Sequence, residues 1–170
     1  MTTTSLPEGS TPMPVGPPPP FDPELAAALA AMGDLMPREL TLDMIPAMRQ
    51  PNPAMPRPSD DDLRRGGAIE VTERLVPGPQ GSPDVSLLIC RPTGASTPLA
   101  AIYNIHGGGM IIGDNRTGLP PILDWAEEFR LVVVSVEYRL APETPHPGPV
   151  QDCYAGLAWT AAHSGELGID

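Results

Sequence analysis

Lysine is absent from this chain: the ten basic residues are all arginines, set against 21 acidic ones, and the formal net charge is −11. A nucleic-acid groove or an anionic membrane surface calls for a net basic face, so neither kind of partner is expected. Long apolar runs are missing too. Nowhere do 18 consecutive apolar residues occur, and no membrane-spanning helix is expected. The opening stretch, MTTTSLPEGSTPMPVGPPPP, has neither the basic n-region nor the apolar h-region of a secretory leader, so a cytoplasmic location is expected. Cysteine is scarce. Cys90 and Cys153 stand in apolar, strand-like and helix-like contexts without ligand spacing, and read as buried free thiols, not as a disulfide or metal site. No metal site is expected from them.

Proline is plentiful and unevenly placed, with 14 of the 25 prolines in the first 58 residues, which leaves a compact part of roughly 110 residues. Residues 1–20 read as a disordered tail, too poor in large apolar groups to offset the entropy of ordering. Residues 21–58 read as a helical appendage with a proline-rich connector. Within it Asp22 can cap a helix that has Pro23 in its first position and Glu24 at the positive end of the dipole. Leu25, Ala28, Leu29 and Met32 share a face, and Gly33 is the expected stop. Leu42, Ile45 and Met48 suggest a second short helix limited or started by Pro46.

Residues 59–170 read as an α/β domain. The segment AIEVTERLV alternates Ile69, Val71 and Leu75 against polar neighbours, and DVSLLIC follows after a turn-rich stretch, as an antiparallel hairpin would. LAAIYNI and LVVVSVEYRL are near-continuous apolar runs, as expected of parallel strands covered by helices on both faces. Between them Ile122, Trp125, Ala126 and Phe129 fall at helical spacing. Beyond them Val150, Cys153, Tyr154, Leu157, Ala158 and Ala161 form the expected buried stripe of a last helix, with Pro149 at its start and His163 in its final turn as a solvated residue.

The stretch YNIHGGGMIIGD sets glycines directly after a strand. In an open α/β sheet the carboxyl edge of the strands is where ligands bind, and a chain without Cβ atoms can turn its N–H groups toward an anion. No phosphate-binding pattern can be drawn through Gly107, Gly108, Gly109 and Gly113, so stabilisation of an oxyanion fits better.

The HGGG of His106 to Gly109, followed by YRLAPETPHPGPVQD from Tyr138 to Asp152, resembles the hormone-sensitive-lipase-like branch of the α/β-hydrolases, the family IV bacterial esterases. The resemblance implies the N-terminal half of an α/β-hydrolase sheet, strands one to four, behind an N-terminal helical cap. By the same resemblance Gly108 and Gly109 would donate two backbone N–H groups to the oxyanion of an ester intermediate, with Gly107 and His106 supporting the loop. Tyr138, Arg139, Glu143 and Asp152 look like the branch's structural motif, pinning the loop after the fourth strand. His146, between two prolines, reads as a loop residue. In this fold the nucleophile belongs to a G-x-S-x-G elbow after the fifth strand, and none of the eight serines (Ser5, Ser10, Ser59, Ser82, Ser86, Ser96, Ser135 and Ser164) is framed by glycines in that way. No catalytic residue is therefore assigned, and the triad is expected beyond Asp170.

The function implied by the resemblance is hydrolysis of small-molecule carboxylic esters through a serine acyl-enzyme, with no metal and no cofactor, from a truncated or split fragment. The alternative is a non-catalytic binding or structural module built on the same fold. The resemblance also orders the strands 1-2-4-3, so that Leu99 to Ile105 becomes an edge. That edge could take a C-terminal half or a second copy of the chain.

Overall fold

The computed structural model describes residues 19–32, 40–53 and 56–170. The expected N-terminal tail, apart from its last two residues, and the expected stop at Gly33 lie outside these residues. The chain divides into two compact units, Met1–Leu40 and Thr41–Asp170. This division lies ahead of the 58/59 boundary suggested by composition. Residues 41–58 go with the sheet because Ile45 is buried and Arg49 bonds into the sheet's loops.

In the first unit, helix α1 spans Pro23–Met32, and the Asp22 carboxylate accepts the Glu24 N–H at 2.9 Å, an N-cap ahead of a first-position proline. The second unit opens with a short 3-10 turn, Leu42–Met44, that leads into α2, Ile45–Met48. Of the expected apolar set, Ile45 alone is buried. Helix α3, Asp60–Arg64, follows a Ser59 capping box closed by Asp62. Ser59 and Asp62 form the S-x-x-D signal that starts a helix ahead of the first expected strand.

The sheet comprises β1 (Ile69–Val76), β2 (Val85–Pro92), β3 (Ala101–Ile105) and β4 (Val132–Glu137), in the order β1-β2-β4-β3. Strands β1 and β2 form the expected antiparallel hairpin, β4 runs antiparallel to β2, and β3 lies parallel to β4 on the outer edge. Central β4 is buried through its first five residues, which matches the near-continuous apolar run.

Helices α3 and α4 (Leu119–Phe129) cover one face of the sheet, with Leu63, Leu119, Leu123 and Ala126 packed on Ile69, Leu88, Cys90 and Val133. Helices α5 (Gly148–Ala162) and α6 (Ser164–Leu167) cover the other, over Leu87, Ile89, Val134 and Val136. The alternation of Leu87 and Ile89 with Leu88 and Cys90 sends successive side chains to opposite cores, as a strand must. Leu75 departs from the expected inward face of β1: it is 72% exposed and lies outside the cluster that α3 and α4 make with Ile69.

Both principal helices are rolled relative to the sequence reading. In α4 the buried residues are Leu119, Leu123 and Ala126, while Trp125 and Phe129 are exposed. In α5 the buried set is Pro149, Asp152, Cys153, Gly156 and Thr160, and Val150, Tyr154 and Leu157 face outward. Two contacts fix this roll. Asp152 is drawn inward to Arg139, and Gly156 comes so close to the sheet that a Cβ there would lie 2.4 Å from the Tyr103 hydroxyl.

Both cysteines are free and buried, as read from the sequence, and burial pushes each thiol up to about 11. Thiolate is the reactive form, so a disulfide-exchange reagent at neutral pH should label neither thiol in the folded chain and both after denaturation. Rapid labelling of Cys90 in the native chain would contradict this packing. Among the described residues no helix is long and apolar enough to cross a membrane, and no group of His, Cys, Asp and Glu could hold a metal ion.

Candidate functional site

Strand β3 ends at Ile105, and the chain turns through His106, Gly107, Gly108 and Gly109 at the carboxyl edge of the sheet. Gly108 has φ +117°, Gly109 φ +60° and Met110 φ +64°. This is left-handed backbone that glycine adopts without penalty. The turn is closed by the N–H groups of Ile111 and Ile112, both donating to the Gly108 carbonyl at 3.1 Å. Among the described residues, the N–H groups of Gly108 and Gly109 donate to no protein acceptor. Two adjacent free donors beside a strand end can take a developing negative charge on oxygen.

His106 and Tyr138 come together beneath this turn. Their rings stack with centroids 4.1 Å apart, and the Tyr138 hydroxyl donates to the His106 carbonyl at 2.8 Å. His106 is 5% exposed. Its Nδ1 lies 2.8 Å from the Gly107 carbonyl, which can only accept, so a hydrogen bond there uses the tautomer protonated at Nδ1. Its Nε2 is buried and has no partner among the described residues. Gly113, φ +97°, passes against this ring: a Cβ at that position would be 2.6 Å from Nδ1. Glycine is thus required at 113 to leave room for His106, a constraint that the HGGG pattern alone does not reveal.

On the inner side of the loop, Asn115 is buried and its N–H donates to Glu137 at 2.7 Å; burial pushes the Glu137 carboxyl above its ordinary range. Arg116, nearly buried, holds Asp60 at 2.5 Å, and Arg57 pairs with Asp114. These contacts tie the segment after the glycines to residues 57–60.

The residues after β4 separate into two anchors. Asp152, 1% exposed, accepts from the Arg139 Nε at 2.7 Å, from its terminal nitrogen at 2.7 Å and from its backbone N–H at 3.0 Å. Glu143 does not join them. With three donors from Arg139 already on Asp152, Glu143 turns outward and pairs with Arg49 at 2.8 Å. Both pairs hold the loop that Arg139, Glu143 and Asp152 are expected to pin, and Arg49 is a partner there that the sequence alone does not reveal. His146 is an exposed loop residue. His163, read as solvated, is half-buried: it caps α5, stacks on Trp159 at 4.1 Å and lies 2.8 Å from the Trp159 carbonyl through Nδ1.

Comparison with known proteins agrees with the fold. Residues 102–170 match a family described as having the alpha/beta hydrolase fold. The chain is 30% identical over 132 residues to the hormone-sensitive lipase of Bos taurus, covering 76% of this chain and 17% of that protein. It is 34% identical over 157 residues to the esterase LipI of Mycobacterium tuberculosis, covering 89% and 45%. Among solved structures, a bacterial heroin esterase superposes with a TM-score of 0.65 at 37% identity over 88% of this chain and 45% of that one. The chain thus spans less than half the length of these relatives.

Proposed function

We propose that this chain, which carries the N-terminal portion of a hormone-sensitive-lipase-like α/β-hydrolase fold, supplies the oxyanion-binding loop of a cytoplasmic serine esterase acting on small-molecule carboxylic esters. The observation that carries the reading is the pair of unbonded N–H groups at Gly108 and Gly109, held at the carboxyl end of a parallel strand. Attack on an ester carbonyl moves charge onto its oxygen, and two preset backbone donors stabilise that charge without reorganising. His106 and Tyr138 support the loop from below and exchange no proton with substrate. Arg139 and Asp152 fix the start of α5. The esterases and lipases among the relatives support ester hydrolysis as the reaction.

In this reading the nucleophile, its acid and its base lie outside these 170 residues, and the rest of the sheet is added at the free edge of β3. The backbone supports that placement: Leu99 makes a parallel bridge with Ile169, with the Leu99 N–H donating to the Gly168 carbonyl and the Asp170 N–H to the Leu99 carbonyl, both at 3.0 Å. Loss of triad members removes several orders of magnitude of rate even where an oxyanion hole survives. The purified 170-residue chain should therefore show no turnover of short-chain p-nitrophenyl esters and no labelling by a fluorophosphonate probe. Stoichiometric labelling of any of the eight serines would overturn the assignment.

A further inference from the structure

Arg49 lies at the end of α2, far in sequence from the glycine turn, yet its guanidinium joins the far end of that turn to the loop after β4. Its Nε donates to the Ile111 carbonyl at 2.8 Å, one terminal nitrogen donates to the Ala141 carbonyl at 2.8 Å, and the two terminal nitrogens take Glu143 in a fork at 2.8 and 2.9 Å. The loops so joined also meet directly, through the Ala141 N–H and the Met110 carbonyl at 2.8 Å. The N–H groups of Ile111 and Ile112 both close the turn onto the Gly108 carbonyl, and the Ile111 carbonyl belongs to the same peptide as the Ile112 N–H. A single planar group therefore fixes the Ile111 peptide from outside, while the His106–Tyr138 stack holds the same loop from within.

We infer that Arg49 is a positioning residue for the Gly108 and Gly109 amides, acting through the Ile111 carbonyl, and that it makes the segment before the sheet part of the oxyanion site. The inference rests on the oxyanion reading of the glycine turn. Lysine cannot replace this function, because an ammonium is a point charge that cannot present in one plane a fork for a carboxylate and donors to two carbonyl oxygens. Glu143 has a lesser part: its side chain is 64% exposed, and it pairs with the guanidinium without touching the two carbonyl bonds.

The test uses the 170-residue chain, isotope-labelled, with amide exchange and the ¹H–¹⁵N resonances of Gly108 and Gly109 as readouts. In Arg49→Ala the amides of Ile111, Ile112 and Ala141 should exchange about tenfold faster, in line with losing bonds of ordinary strength. The two glycine resonances should shift, while Leu88 and Val134 in the sheet keep their protection. Arg49→Lys should shift the glycines in the same direction by less, and Glu143→Gln should leave them nearly in place. Unmoved glycine resonances in Arg49→Ala overturn the inference, and so does a loss of protection spread equally over the sheet. If Arg49→Ala does not fold, the contrast between Arg49→Lys and Glu143→Gln decides, with equal shifts counting against it. None of these readouts requires ester hydrolysis, so the clamp and the oxyanion reading fail separately.

Discussion

Exchange of Arg139 for methionine should destabilise the sheet unit by about 3–5 kcal/mol, and exchange of Asp152 for asparagine by clearly less. The asymmetry follows from where each charge is left. Asp152 is 1% exposed, whereas the Arg139 side chain is 33% exposed. Removing the guanidinium strands a carboxylate inside the protein with only the Arg139 backbone N–H to compensate it. Removing the carboxylate charge leaves a guanidinium that can turn to water, and the asparagine oxygen can still accept one bond. Against a usual total of roughly 5–15 kcal/mol, the first loss is enough to unfold many molecules. The double variant Arg139→Met/Asp152→Leu removes both charges together and should recover most of the stability, since a buried pair is often no better than apolar groups of similar volume. Urea unfolding with linear extrapolation measures all three. An Asp152→Asn loss equal to that of Arg139→Met would mean that the burial difference does not govern the pair.

The strands were legible in the sequence because a strand announces itself locally. The alternation in IEVTERLV and the continuous run in VVVSVE are local patterns, and β1 and β4 appear where they occur, although Leu75 of β1 lies on an exposed side and only the run of β4 is matched by continuous burial. The roll of α5 was not legible in the same way. Periodicity favoured the face with Val150, Tyr154 and Leu157, but the inward face is set by Asp152 and Gly156, one a charge with a partner thirteen residues back and the other a gap for close approach. Neither scores as apolar. A helix packs by the sum of its contacts, and here one ion pair and one absent Cβ outweigh three large side chains.

The site divides similarly. The glycine turn could be read directly, because only particular backbone angles call for glycines in succession after a strand, and Gly108 and Gly109 adopt such angles. Tyr138 and His106 were both singled out, but their stacking depends on β3 and β4 lying side by side, a fact of topology. Arg49 stands 62 residues before Ile111 and 94 before Glu143 and left no local trace. Ser59 did leave one, since a serine three residues ahead of an acidic residue marks a helix start.

The three glycines should differ sharply when each is replaced by alanine, with Gly108→Ala the most damaging. A Cβ at 108 would lie 2.1 Å from the Ile112 carbonyl oxygen and 2.8 Å from its carbon, so the obstacle is backbone that closes the same turn. The φ of +117° adds strain that no rotation of a side chain relieves. The loop between Gly108 and Ile112 must reopen, and the free N–H groups move with it. Gly109 is different: at φ +60° an alanine meets no atom nearer than 3.9 Å, so it pays only the left-handed penalty of about 1–2 kcal/mol. At Gly107, with no positive φ and nothing within 4 Å of the added carbon, alanine should be tolerated. In the 170-residue chain, exchange at Ile111 and Ile112 should therefore rise strongly for Gly108→Ala, slightly for Gly109→Ala and hardly at all for Gly107→Ala. If the proposed oxyanion role holds, an active esterase that contains this segment should lose kcat by about 10²- to 10³-fold on Gly108→Ala, the cost of misplacing one donor, and stay near the parent rate on Gly107→Ala. Equal losses at all three positions would show that the turn tolerates no side chain anywhere, and the assignment of the donors to Gly108 and Gly109 would lose its geometric basis.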